Sequence, residues 1–202
     1  LKEVAESKLP VLLSTGMGSL SEVITAVTIF KNNGNPILLF QCTSNYPSKI
    51  INANVRVLET YKNLFDIPVG FSDHTTNNLA AIVAVALGAV AVEKHFTLSK
   101  NLPGIDQKAS IEPTELKNLA EDLKMAKLAL GDPLKNRTDE EEDTSVALRR
   151  SIVAIRDINV GERLTDDMVT MKRPGNGIPP NLLSSLTGAK FRNFVKCDRV
   201  LV

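Results

Sequence analysis

Between Pro10 and about Leu130 the chain repeats one pattern: a short aliphatic run ends in small polar residues and gives way to a helical periodicity. The runs fall at Val11 to Ser14, Ile37 to Cys42, residues 69–71 and residues 89–94. Helical patterns follow at Leu20 to Asn32, residues 55–64, residues 79–87 and Pro113 to Leu130. The last of these opens on Glu112-Pro113-Thr114-Glu115 and stops at Gly131. Runs this continuously apolar predict strands of a parallel sheet covered on both faces. Such βα repetition suits a (β/α)₈ barrel or a doubly wound sheet, and no glycine-rich dinucleotide fingerprint supports the second. Four units make half a barrel and leave open sheet edges. The expectation is therefore that the natural polypeptide continues before Leu1, where Leu1-Lys2-Glu3-Val4-Ala5-Glu6 reads as the tail of a helix.

After Gly131 the character changes. Asn136 to Ser145 is rich in Asp, Glu and Thr and nearly free of large apolar side chains, which reads as a solvated linker. Beyond it, strand candidates at residues 151–155, 168–171 and 199–202 alternate with turns, predicting a small, mostly β domain. The division expected is a barrel-type domain over 1–135, a linker over 136–148 and the small domain over 149–202.

Composition narrows the function. A net charge of +1, from 24 basic and 23 acidic residues, provides no field to recruit nucleic acid or an anionic membrane surface, so small molecules are the expected partners. No apolar run reaches the roughly 18 residues that cross a bilayer. Cys42 and Cys197 lack metal-type or redox-type spacing, which points to a cytoplasmic setting with two small buried apolar side chains.

In a parallel barrel, ligands gather where strands end. Four clusters lie there: Ser14-Thr15-Gly16-Met17, Cys42-Thr43-Ser44-Asn45-Tyr46-Pro47, Phe71-Ser72-Asp73-His74-Thr75 and Glu93-Lys94-His95-Phe96-Thr97. The only two histidines of the chain, His74 and His95, close consecutive strands. Neighbouring staves bring their imidazoles within reach of one divalent cation, with positions left open for water and substrate. Side-chain alternation places Ser72 with His74 on one face and Asp73 on the other, and likewise pairs Glu93 with His95 against Lys94. The Pro103-Gly104 bend can carry Asp106 back over the rim, as a base, a ligand to bound water or merely a turn cap. Ser14, Ser44 and Tyr46 are hydroxyl donors suited to a phosphate or carboxylate. In the small domain Arg173 sits beside the bend Pro174-Gly175-Asn176-Gly177, a place for a forked contact with a carboxylate or sugar hydroxyls.

These segments, with Leu102-Pro103-Gly104-Ile105-Asp106, Arg150-Ser151-Ile152-Val153-Ala154 and Lys172-Arg173-Pro174-Gly175-Asn176-Gly177, resemble the N-acetylneuraminate (sialic acid) synthases. The resemblance covers nearly the whole chain. It implies a TIM (β/α)₈ barrel joined to a small domain related to type III antifreeze proteins, in a homodimer whose small domains cap each other's barrels. It implies condensation of phosphoenolpyruvate with an N-acetylated hexosamine such as N-acetylmannosamine. It also implies His74 and His95 as ligands of Mn²⁺ or Mg²⁺, with Ser72 and Ser14 near phosphoenolpyruvate. Tyr46 and Ser44 would line the pocket, Asp106 would lie close to metal and sugar, and Arg173 would reach the sugar from the neighbouring subunit. Ser44 stands where some members have asparagine. The family's earlier βα units, which supply further acidic and lysine groups, have no counterpart here, so a polypeptide beginning at Leu1 is expected to be inactive alone.

Three other readings compete. Legionaminic, pseudaminic and spore-coat precursor synthases share the same motifs. A Schiff-base aldolase would use Lys94 as its amine. A non-catalytic carbohydrate- or ice-binding module would have no use for the two histidines.

Overall fold

In the computed structural model, which describes residues 1–202, the aliphatic runs become one sheet. The strands are β1 (Val11–Ser14), β2 (Ile37–Cys42), β3 (Val69–Asp73) and β4 (Ala91–Lys94), paired in that order and all parallel. A short helix, α1 (Lys2–Glu6), precedes them; α2 (Leu20–Asn32), α3 (Val57–Phe65), α4 (Leu79–Ala86) and α5 (Pro113–Leu130) follow their strands. Local chemistry sets the boundaries. Ser19 and Glu22 close a reciprocal capping box at the start of α2, and Glu112 with Glu115 does the same for α5, whose first residue is Pro113. β3 runs past its apolar stretch because Ser72 and Asp73 pair with Glu93 and Lys94, a polar extension that hydrophobicity does not reveal.

Ile37 and Leu39 of β2 and Val69 and Phe71 of β3 bury against Val23, Val27 and Phe30 of α2, Leu58, Tyr61 and Phe65 of α3, and Ala80 and Ala84 of α4. Removing these side chains from water is the main stabilising term of this layer. A second cluster, Ala81, Ile111 and Leu119, seats α5 on α4. The helices pack on one face, while on the other Leu12 is 70% exposed and Phe40 is covered in part by lying over Gly70.

The chain divides into two compact units, Leu1–Pro133 and Leu134–Val202. In the second, β5 (Ser151–Ala154) pairs antiparallel with β6 (Val169–Lys172) over a core of Ile152, Ala154, Ile158, Leu164, Val169 and Leu201. The third expected strand, residues 199–202, makes only an isolated bridge from Val200 to Val153. The stretch read as a linker contains a helix, α6 (Asp139–Leu148), capped by Thr138 and Glu141 and carrying four acidic residues in its first turn. Negative charge at a helix N-terminus opposes the macrodipole favourably, so a composition that suggests a solvated connector also favours this helix. A single helical turn, α7 (Leu183–Leu186), completes the unit. Cys42 is half-buried, but Cys197 is exposed rather than buried, its thiol lying 3.2 Å from the Ile155 carbonyl. No helix is long and apolar enough to cross a membrane.

Candidate active site

The ends of β2, β3 and β4 bring five of the expected residues close together. His74 follows β3 and is buried; its Nδ1 lies 2.6 Å from the Thr43 carbonyl oxygen. A carbonyl only accepts, so Nδ1 carries the proton, and in the neutral ring Nε2 holds the lone pair. That nitrogen is 2.9 Å from the Tyr46 hydroxyl and 3.1 Å from Ser72 Oγ. Ser72 donates its one proton to Glu93 Oε1 at 2.7 Å, so the phenol is the donor to Nε2. Burial foremost, with Cys42, Asp106 and Glu93 nearby, pushes the Tyr46 phenol up, which keeps it a donor.

His95 sits beyond β4 with its ring 5.6 Å from that of His74, edge-on, and 4.5 Å from that of Tyr46. Tyr46 stacks on His74 at 4.0 Å and so contacts both imidazoles. Asp106 reaches back from the loop after β4 to place Oδ2 at 4.0 Å from His95 Nδ1. Asp106 is also the N-cap residue of the 3₁₀ turn Gln107–Ala109, where its side chain makes no cap hydrogen bond. Glu93, not singled out as a site residue from sequence, joins the cluster through Ser72. The period-two alternation that pairs it with His95 was the signal for it.

Ser14 and Ser44 stand apart from this cluster. Ser14 ends β1 opposite Phe40 and is exposed. Ser44 lies against the bend after β1, where a Cβ on Gly16 would come within 2.1 Å of Ser44 Oγ. The half-buried Cys42 thiol beside them is pushed up, chiefly by burial.

Lys94 faces the other way. Its side chain is 3% exposed, and its ammonium donates to Asp73 Oδ2 at 2.8 Å, to the Thr75 carbonyl at 2.8 Å and to the Asn77 carbonyl at 3.2 Å. An amine with every proton engaged, on the face opposite the histidines, is not available to form an imine.

Arg173 belongs to the second unit, where it is exposed and Nε donates to the Leu148 carbonyl at 2.9 Å. The Gly175 amide likewise donates to Val146, so the bend caps the last turn of α6. Gly177 has a packing reason of its own: a Cβ there would come within 2.4 Å of the Leu201 carbonyl oxygen.

The donor set suits a divalent cation. His74 offers Nε2 while its other nitrogen is tied to a backbone carbonyl, an arrangement typical of metal-binding histidines, and His95 is a half-exposed neighbour. No three His, Cys, Asp or Glu side chains converge into a closed cage.

Residues 1–135 match the profile of the NeuB family and residues 149–202 that of the SAF domain. The chain is 39% identical over 195 residues to the N,N'-diacetyllegionaminic acid synthase of Legionella pneumophila, spanning 94% of this chain and 55% of that protein. It is 38% identical over 204 residues to the human N-acetylneuraminate-9-phosphate synthase, spanning all of this chain and 57% of that protein. The chain thus spans little more than half the length of these curated relatives. Among solved structures, a putative spore coat polysaccharide biosynthesis protein E from Chromobacterium violaceum superposes with a TM-score of 0.81 at 23% identity, covering 100% of this chain and 61% of that one. A histidine pair at the ends of adjacent parallel strands, the match over residues 1–135 and the relatives in two kingdoms converge on one assignment, that the chain belongs to the NeuB family.

Proposed function

We infer that the chain belongs to an enzyme that condenses phosphoenolpyruvate with an N-acetylated hexosamine to give a sialic or related nonulosonic acid and phosphate. The observation that carries this reading is the juxtaposition of His74 and His95 across Tyr46, with Ser72, Glu93 and Asp106 on the same rim. The synthase names of the two relatives support the substrate class. The sheet is half of a (β/α)₈ barrel in this reading, and residues 149–202 form an antifreeze-like domain of the SAF type. The domain limits are 1–135 and 149–202, with 136–148 between them, and the enzyme works as a cytoplasmic homodimer to which Arg173 contributes across the subunits.

His74 Nε2 and His95 would hold a divalent cation, and two nitrogen donors favour Mn²⁺ over the harder Mg²⁺, which usually keeps oxygen ligands. Bound there, the cation supplies Lewis-acid polarisation of the open-chain aldehyde. The residues of the chain do the rest. The Tyr46 hydroxyl, beside both imidazoles, donates to substrate. Ser14 and Ser44, on the neighbouring stave ends, face the phosphate and carboxylate of phosphoenolpyruvate. Carbon 3 of phosphoenolpyruvate forms the bond to the aldehyde carbon, water adds at carbon 2, and phosphate leaves by carbon–oxygen cleavage. Glu93, exposed at the rim, accepts the proton of that water, and Ser72, whose one proton goes to the Glu93 carboxylate, holds that carboxylate in place. Asp106 holds a sugar hydroxyl or a bound water beside His95.

The test uses a polypeptide of the relatives' full length, incubated with phosphoenolpyruvate, Mn²⁺ and a panel of N-acetylated hexosamines, following phosphate release and product mass. The expected result is metal-dependent phosphate release with a nine-carbon acidic product, abolished by His74→Ala. Absence of release with every sugar, or release unaffected by removing the imidazole, overturns the reading. Borohydride trapping with pyruvate is expected to label nothing.

A further inference from the structure

The pairing of β3 with β4 ends on Asp73 opposite Lys94, and the next residue of each strand's continuation is a histidine. One face of these two strand ends carries Ser72, Glu93 and the imidazoles, while the opposite face carries a buried ion pair whose side chains are 0% and 3% exposed. The lysine does more than neutralise the aspartate. Its three protons go to Asp73 Oδ2 and to the carbonyls of Thr75 and Asn77, and Asp73 Oδ1 accepts the Thr75 amide at 2.8 Å. The ammonium therefore holds the Asp73 carboxylate just before His74 and two backbone carbonyls just after it, while its own backbone leads directly into His95.

The geometry points to Lys94 and Asp73 as a pair of positioning residues: from behind the sheet, the ammonium fixes the loop of residues 73–77 so that the His74 ring stays tied to the Thr43 carbonyl and presents Nε2 to His95. A buried ion pair is weak evidence for stability, because an apolar pair of similar size often serves the fold as well. Here two of the three acceptors are loop carbonyls that no apolar side chain can hold. Retention of charge at this place is explained by the loop it shapes.

The assignment rests on reading His74 and His95 as the working pair, but its test needs neither metal nor substrate. The chain has two histidines, so ¹⁵N-edited long-range spectra give two separable imidazole patterns. At about pH 8 wild-type His74 is expected in the Nδ1–H tautomer with a slowly exchanging ring proton, because Nδ1 faces the Thr43 carbonyl. In the double variant Asp73→Asn/Lys94→Met, which leaves no unpaired buried charge, the pattern is expected to shift toward a mixture of tautomers and the ring proton to exchange at least tenfold faster. Asp73→Asn alone keeps an oxygen for the Thr75 amide and is expected to show the same change in smaller measure. Mn²⁺ affinity is expected to fall about 10- to 100-fold in the double variant. A folded variant, by circular dichroism, whose His74 tautomer and exchange match wild type overturns the assignment and leaves the metal reading standing. The expected tautomer change in a protein whose wild type binds no Mn²⁺ does the reverse.

Discussion

His74 depends on neighbours of three kinds: a carbonyl that fixes its proton, a phenol that meets its lone pair, and a carboxylate that reaches it through Ser72. Tyr46→Phe removes the phenol's proton and leaves the ring stacked. It is expected to lower kcat/KM of the full-length enzyme about 10- to 100-fold, while thermal unfolding moves by less than about 2 °C. A second residue-scale effect lies in the small unit. Hydrogen bonds from Arg156 and from the Asn159 amide hold the Glu162 carboxyl down at about 2, from an ordinary 4.5. The folded value lies below the unfolded one, so the stabilisation is present above 4.5 and disappears as pH falls toward about 2. Glu162→Gln is expected to flatten the acid limb of the thermal-unfolding profile of residues 134–202 in that window. The carboxyl is partly exposed, so added salt should shrink the difference.

Each element began and ended where its sequence had a chemical reason to, and failed to be read where the reason was not hydrophobic. β1, β2, α2 and α5 agree with the sequence expectation to the residue, because aliphatic runs delimit the strands and capping boxes mark where the helices begin. β3 reaches Asp73 through polar pairing, and α6 forms from a stretch whose acidity hides its preference for a helix N-terminus. Thr138→Ala is expected to cost α6 about 1 kcal/mol, seen as faster amide exchange across Asp139–Leu148. Gly70 makes the opposite demand on β3. A Cβ there would come within 2.6 Å of the Phe40 ring, so Gly70→Ala is expected to destabilise the first unit by about 1–3 kcal/mol in denaturant unfolding.

For the whole molecule, the barrel-type order of strands was legible because βα repetition is a long-period signal, and the histidine pair because two residues of one kind fell at equivalent places. Arg173 shows what stayed hidden. Within its own unit the side chain caps a helix whose existence the composition concealed. The small unit has its own core, from Ile152 to Leu201, and a fragment of residues 134–202 is expected to unfold cooperatively. Gly177→Ala, which drives a methyl against the Leu201 backbone, should abolish that cooperativity or lower its midpoint markedly.

Phe71 to His74 and Val92 to His95 each carry two interleaved messages, odd places for the scaffold and even places for the reaction, or the converse. A substitution at one place leaves every other side chain on its own face. Loss or gain of a single codon in either stretch swaps them wholesale, turning the lysine toward the substrate and an imidazole toward the helices. Length in these short stretches is therefore under tighter constraint than the identity of any one side chain.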